Sequence, residues 1–156
     1  MAARTLTQYL LDVGRSDERS NDFTHILSAV AVSVKLTAAM VSRGALVLEP
    51  APHSAPPAAR DVNRALRKLA TRTLLDQAAG IEPLAAVSVS GSRTIHPVSP
   101  TGRYLLLFEA LHGMSNLVDD LPVGSAFSIL EVPPHDGTPT AADFLQPGSR
   151  QVCAGI

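Results

Sequence analysis

Apolar residues recur at Phe23, Ile26, Leu27, Val30, Ala31, Val34, Ala38 and Val41. Their i, i+3, i+4, i+7 spacing predicts a long helix with one face in a core. Ser20 or Asn21 can cap its first turn, and Gly44 follows Arg43 where such a helix stops. Ahead of it, Leu6, Tyr9, Leu10 and Val13 mark a short amphipathic helix from Thr5 to Val13, and Asp17 to Asn21 reads as a polar loop. Pro50, Pro52, Pro56 and Pro57 break regular structure and predict an exposed Pro/Ala-rich loop over 46–60. A further helix from about Val62 to Ala79 carries the stripe Leu66, Leu69, Ala70, Thr73 and Leu74, and ends before Gly80.

The period then changes. Leu84 to Val89, Tyr104 to Phe108 and Ser125 to Val132 are short apolar or β-branched runs bounded by turn residues, and Gln151 to Ile156 opens another. Helices followed by strands predict an α/β layered fold. A chain of 156 residues that is 46% apolar and 17% charged matches one globular domain, 1–156, with enough core to fold. A net charge of -1 offers no general attraction to nucleic acid or an anionic membrane. The single Cys153 has no intrachain partner, and neither a run of about 18 uninterrupted apolar residues nor a secretory leader is seen. The expectation is a cytoplasmic protein.

Candidate chemistry gathers between Tyr104 and Asn116. A buried-type strand leads into Glu109, His112 and the turn Gly113-Met114-Ser115-Asn116, which brings a carboxylate, an imidazole and backbone N–H groups to one strand end. Glu109 and His112 offer two ligands for Zn²⁺ or Mn²⁺, with Asp61 as a third. Arg60, Arg64, Lys68 and Arg72 recur every four residues beside Arg67, the pattern of a solvated helix face. His25, His53, His96 and His135 show no ligand spacing, and no nucleophile elbow is present.

Several segments resemble class I fructose-1,6-bisphosphatase in that family's order. Thr5-Leu6-Thr7-Gln8-Tyr9-Leu10 is similar to its first helix, and Arg43-Gly44-Ala45-Leu46 to the end of its second. Phe108-Glu109-Ala110-Leu111-His112-Gly113-Met114-Ser115-Asn116 stands against Phe-Asp-Pro-Leu-Asp-Gly-Ser-Ser-Asn. Val123-Gly124-Ser125-Ala126-Phe127-Ser128-Ile129-Leu130 resembles Val-Gly-Thr-Ile-Phe-Ser-Ile-Leu, and Asp143-Phe144-Leu145-Gln146-Pro147-Gly148-Ser149-Arg150-Gln151-Val152 nearly repeats Asp-Phe-Leu-Gln-Pro-Gly-Thr-Arg-Gln-Val. The resemblance implies the N-terminal half of a sugar-phosphatase-type α-β-α-β-α layered sandwich. The sugar-binding C-terminal half, which grips the fructose ring and its 6-phosphate, is absent from these residues.

The family hydrolyses the 1-phosphate of fructose 1,6-bisphosphate with Mg²⁺ held by carboxylates. By this resemblance Asp61 and Glu109 keep acidic positions and His112 replaces an aspartate. Arg67 falls where a helix carboxylate stands, and Val89 and Ser90 where a Glu-Glu pair stands. Gly113, Ser115 and Asn116 match the turn that cradles the 1-phosphate. Ser20, Asn21, Asp22, Thr24, Arg103 and Tyr104 match the site where adenosine monophosphate inhibits. The resulting expectation is a truncated homologue, with no Mg²⁺ bound and no catalysis as an isolated chain. Two alternatives stand beside it. One is a module that senses a nucleotide or sugar phosphate, or associates with itself or with a full-length phosphatase. The other is a poorly folding gene remnant.

Overall fold

The computed structural model describes residues 5–13, 18–43, 58–119, 122–134 and 137–156. Three helices come first: α1 (Leu6–Val13), α2 (Glu18–Arg43) and α3 (Ala59–Ala78). Five strands follow: β1 (Leu84–Val89), β2 (Ile95–Pro97), β3 (Tyr104–His112), β4 (Gly124–Glu131) and β5 (Gln151–Gly155). They form one sheet in the order β2-β1-β3-β4-β5. Among the described strands, only the β1–β3 pair is parallel. The arrangement is the expected α/β layering.

The main core lies between the helices and one sheet face. Ile26 and Val30 of α2 and Leu66, Ala70, Leu74 and Ala78 of α3 share a buried cluster with Val87, Tyr104, Leu106, Phe108 and Ile129. Burying a side chain such as Leu74 contributes about 2 kcal/mol through the hydrophobic effect. β1 is buried on both sides, so Leu84, Ala85, Ala86 and Val87 form a continuous apolar run. On the opposite face, Phe144 covers Ala85, Ala86, Leu105 and Leu130. Phe144 is carried by a short turn, Ala141–Phe144, whose start is closed by a capping box between Thr140 and Asp143. Glycine is required at 102, where a Cβ would overlap the backbone of Ala85.

Several boundaries differ from the sequence reading. α2 begins at Glu18, so Asn21 lies inside the helix and does not cap it; Ser20 also lies in α2, with its side chain outside the described residues. α3 starts at Ala59, ahead of Val62. β3 runs on through His112, because Ala110 and Leu111 are buried and extend the strand; the turn starts only at Gly113. β2 was not anticipated. The stop at Gly44 and most of the 46–60 loop fall outside the described residues.

The buried face of α2 is also rotated from the expected one. Ser33 and Thr37 are buried, whereas Val34 is 37% exposed and Ala38 faces solvent. Ser33 satisfies its hydroxyl by donating to the Ala29 carbonyl at 2.7 Å. Thr37 Oγ1 has no hydrogen-bond partner among the described residues. Asn21–Arg43 is long and apolar enough to cross a membrane by length and composition, with a mean hydropathy of 1.5. Its buried positions pack on α3, with 22% of its apolar window buried and Val32, Val34 and Leu36 exposed.

Candidate functional site

The carboxyl ends of the parallel strands β1 and β3 lie side by side, Val89 opposite Phe108 in register. This places Val89 and Ser90, from the end of β1, next to Glu109 of β3. Arg67 and Thr71 of α3 come over the same point. Together with Ala110 and Leu111 they enclose a cavity of about 10 Å³, barely the room one water needs. Four residues from three separate parts of the chain, Arg67, Val89, Ser90 and Glu109, therefore line one cavity. Only Glu109 among them carries a carboxylate.

Glu109 turns its carboxylate to the imidazole of its neighbour along the strand, with Oε1 and His112 Nδ1 3.1 Å apart. The His112 side chain is 76% exposed, so this pair faces solvent. Asp61, in the first turn of α3, stands 3.7 Å from Arg64 and 4.0 Å from Arg60. Its carboxylate lies in a cationic field of its own helix. No three His, Cys, Asp or Glu side chains come together to hold a metal among the described residues. Asp61, Glu109 and His112 thus do not assemble as a ligand set. A hard divalent ion prefers several carboxylate oxygens, and Glu109 is the one carboxylate that lines this cavity, beside the cationic residue Arg67. Among the described residues the carboxylates do not gather as Mg²⁺ requires.

The turn that follows is locally well specified. Gly113 has φ +75, and a Cβ there would approach Asn116 Nδ2 to 3.1 Å. Asn116 uses its backbone N–H on the Gly113 carbonyl at 2.8 Å and its side-chain amide on the Pro122 carbonyl at 3.0 Å. Ser115 is exposed at the tip. Asn63 of α3 donates to the Met114 carbonyl at 3.2 Å and fixes the turn to the helix.

A second, larger feature lies at the other end of β3. Asn21, Asp22 and His25 of α2 face Gly80 to Pro83, Thr101 and Arg103 across an open cleft of about 780 Å³. Arg103 donates to Asp22 Oδ2 in an ion pair, and the Asp22 side chain is only 11% exposed. Two neighbours have structural work instead. Thr24 Oγ1 donates to the Leu10 carbonyl at 3.1 Å, tying α2 to α1. Tyr104 is buried, its ring 4.9 Å from that of Phe23. The nucleotide candidates therefore divide: Asn21, Asp22 and Arg103 line the cleft, whereas Thr24 and Tyr104 support it. Sequence reasoning missed His25, Thr101 and the Gly80–Pro83 wall. Only the helix stop at Gly80 hinted at that wall.

The family profile "Fructose-1-6-bisphosphatase, N-terminal domain" matches residues 4–156. The chain belongs to the fructose-1,6-bisphosphatase family. A curated relative, fructose-1,6-bisphosphatase class 1 of Halorhodospira halophila, is 32% identical over 155 residues, covering 97% of this chain and 46% of the relative. Among solved structures, Leishmania major fructose-1,6-bisphosphatase in its apo form superposes with a TM-score of 0.69 at 21% identity, covering 97% of this chain and 45% of that one. The T-state form of the same protein gives 0.70 at 21% identity, covering 99% and 47%. At that identity the likeness speaks for the fold. The chain spans about half the length of these relatives.

Proposed function

We propose that this half-length fructose-1,6-bisphosphatase chain does not by itself carry out the family's metal-dependent hydrolysis of fructose 1,6-bisphosphate. The observation that supports this is the meeting of Arg67 and Glu109 at one small cavity, with Asp61 held among arginines. Among the described residues no cluster of carboxylates gathers the divalent charge that neutralises a phosphoryl group and activates water. The direct test is phosphate release from fructose 1,6-bisphosphate with Mg²⁺, Mn²⁺ or Zn²⁺. No release above a heat-denatured control is expected. Metal-dependent release that His112→Ala abolishes would refute the reading.

A second reading concerns ligand sensing, and the convergence of Asn21, Asp22 and Arg103 on one cleft favours it. Its volume suits a mononucleotide, and Arg103 brings a guanidinium that recognises phosphate. We infer that adenosine monophosphate binds there without metal. Binding by isothermal titration is the test, and Arg103→Ala should remove it.

A further inference from the structure

Helix α3 carries a charge out of keeping with the rest of the chain. Arg60, Arg64, Arg67, Lys68 and Arg72 all stand exposed on it. Asp61 and Asp76 are its two carboxylates, so the helix is at +3 in a chain whose net charge is -1. Arg60, Arg64, Lys68 and Arg72 follow at four-residue steps, a rise of about 6 Å each along the helix. Arg67, three residues beyond Arg64, widens the same stripe. The core is reached by other positions of α3, Leu66, Ala70, Leu74 and Ala78.

The helix gains little from this arrangement by itself. Arg60 and Arg64, Arg64 and Lys68, and Lys68 and Arg72 are like-charged neighbours, each of which works against a helix. Arg60 also occupies the first turn, the positive end of the helix dipole. The compensating ion pairs are long and open to water. Asp61 lies 3.7 Å from Arg64 and 4.0 Å from Arg60, and Asp76 lies 3.7 Å from Arg72. Among the described residues Arg67 and Lys68 make no ion pair. An anionic partner laid along the stripe would relieve the repulsion and supply the missing partners together.

The chemistry of the stripe selects the kind of anion. α3 has no aromatic side chain, and single-stranded nucleic acid is held largely by stacking on such groups. The net charge of -1 likewise gives no general pull on a duplex. Guanidinium groups meet carboxylates through paired hydrogen bonds, and a partner helix with acids at every fourth position repeats the same step. Ala65 and Leu69, half-buried and three residues ahead of Lys68 and Arg72, give such a helix an apolar margin to rest on. We propose that the cationic face of α3 docks an acidic helical segment of another protein, with Asp or Glu spaced four residues apart. This docking is independent of hydrolysis and of nucleotide binding at the cleft.

The probe is a fluorescent alanine-based peptide with glutamate at every fourth position, titrated with the chain at low salt. Saturable binding is expected, and it should weaken as salt is raised. A peptide of the same composition with its glutamates in one block should bind about fivefold or more weakly. Arg64→Glu combined with Lys68→Glu should weaken binding of the first peptide about tenfold or more. Lys35→Glu combined with Arg93→Glu makes the same change in net charge at exposed positions on α2 and ahead of β2. That pair should leave binding within about twofold of the parent chain. Melting curves show which variants fold, and Arg64→Gln with Lys68→Gln replaces the charge-reversed pair if that pair does not. No binding, an equal loss in both double variants, or equal binding of the two peptides overturns the proposal. So does tighter binding of single-stranded polyuridine RNA, because the stripe is then a nucleic-acid surface.

Discussion

Asp22 and Arg103, 81 residues apart in the chain, form an ion pair across the mouth of the larger cleft. The pair joins α2 to the start of β3 and sets the charge of the cleft. Asp22 offsets the cation that would otherwise meet a phosphate. Arg103→Ala should weaken adenosine monophosphate binding about tenfold or more, through loss of a charge-assisted contact. Asp22→Asn keeps the shape and removes the competing negative charge, so binding should tighten by roughly threefold. Titration calorimetry separates these cases. Weaker binding by Asp22→Asn would mean that the carboxylate itself contacts the ligand.

The cavity shared by Arg67 and Glu109 predicts a gain-of-function result. An arginine lining such a cavity opposes a divalent ion by like-charge repulsion. Combining Arg67→Asp, Val89→Glu and Ser90→Glu places three new carboxylates around Glu109. The triple variant should show a melting temperature that rises with Mn²⁺, while the parent chain shows none. A parent chain that is stabilised by Mn²⁺ would contradict the argument.

Thr37 gives a stability prediction of opposite sign to most core changes. Its hydroxyl is buried and unpartnered among the described residues. Thr37→Val removes that desolvated group at nearly constant shape, and should stabilise the chain by about 1 kcal/mol. The melting temperature should rise by roughly 2–4 °C.

Cys153, on β5, predicts a pH effect. Burial disfavours its thiolate and raises its pKa above the ordinary thiol value. The folded chain therefore keeps this proton at a pH where the unfolded chain has begun to lose it. The unfolded state binds fewer protons in that alkaline window, so Cys153 makes stability fall as pH rises through it and contributes no slope below it. Cys153→Ala should flatten the alkaline slope of stability measured by urea unfolding.

The parts of this fold that were legible in the sequence are those where one periodicity decides the outcome. The Leu66, Ala70 and Leu74 stripe of α3 and the unbroken apolar run of β1 are of this kind. α2 was legible as a helix but not in its exact facing, because it is apolar nearly all round. Ser33 enters the core by bonding back to Ala29, an option periodicity does not weigh. β2 has too few residues to show alternation. At the site, the approach of Arg67 to Glu109 depends on the crossing of α3 over the ends of β1 and β3. No local spacing encodes that crossing, and resemblance alone aligned those positions.

The most direct measurement is a thermal melt of the purified 156-residue chain with two additions kept apart. One is adenosine monophosphate without metal, and the other is fructose 1,6-bisphosphate with Mg²⁺. A ligand at a hundred times its dissociation constant adds about 2.7 kcal/mol, a rise of roughly 5–10 °C for a chain of this size. The account predicts one cooperative transition that moves with the nucleotide and stays fixed with sugar phosphate and Mg²⁺. A shift that requires the sugar phosphate together with Mg²⁺ would contradict it.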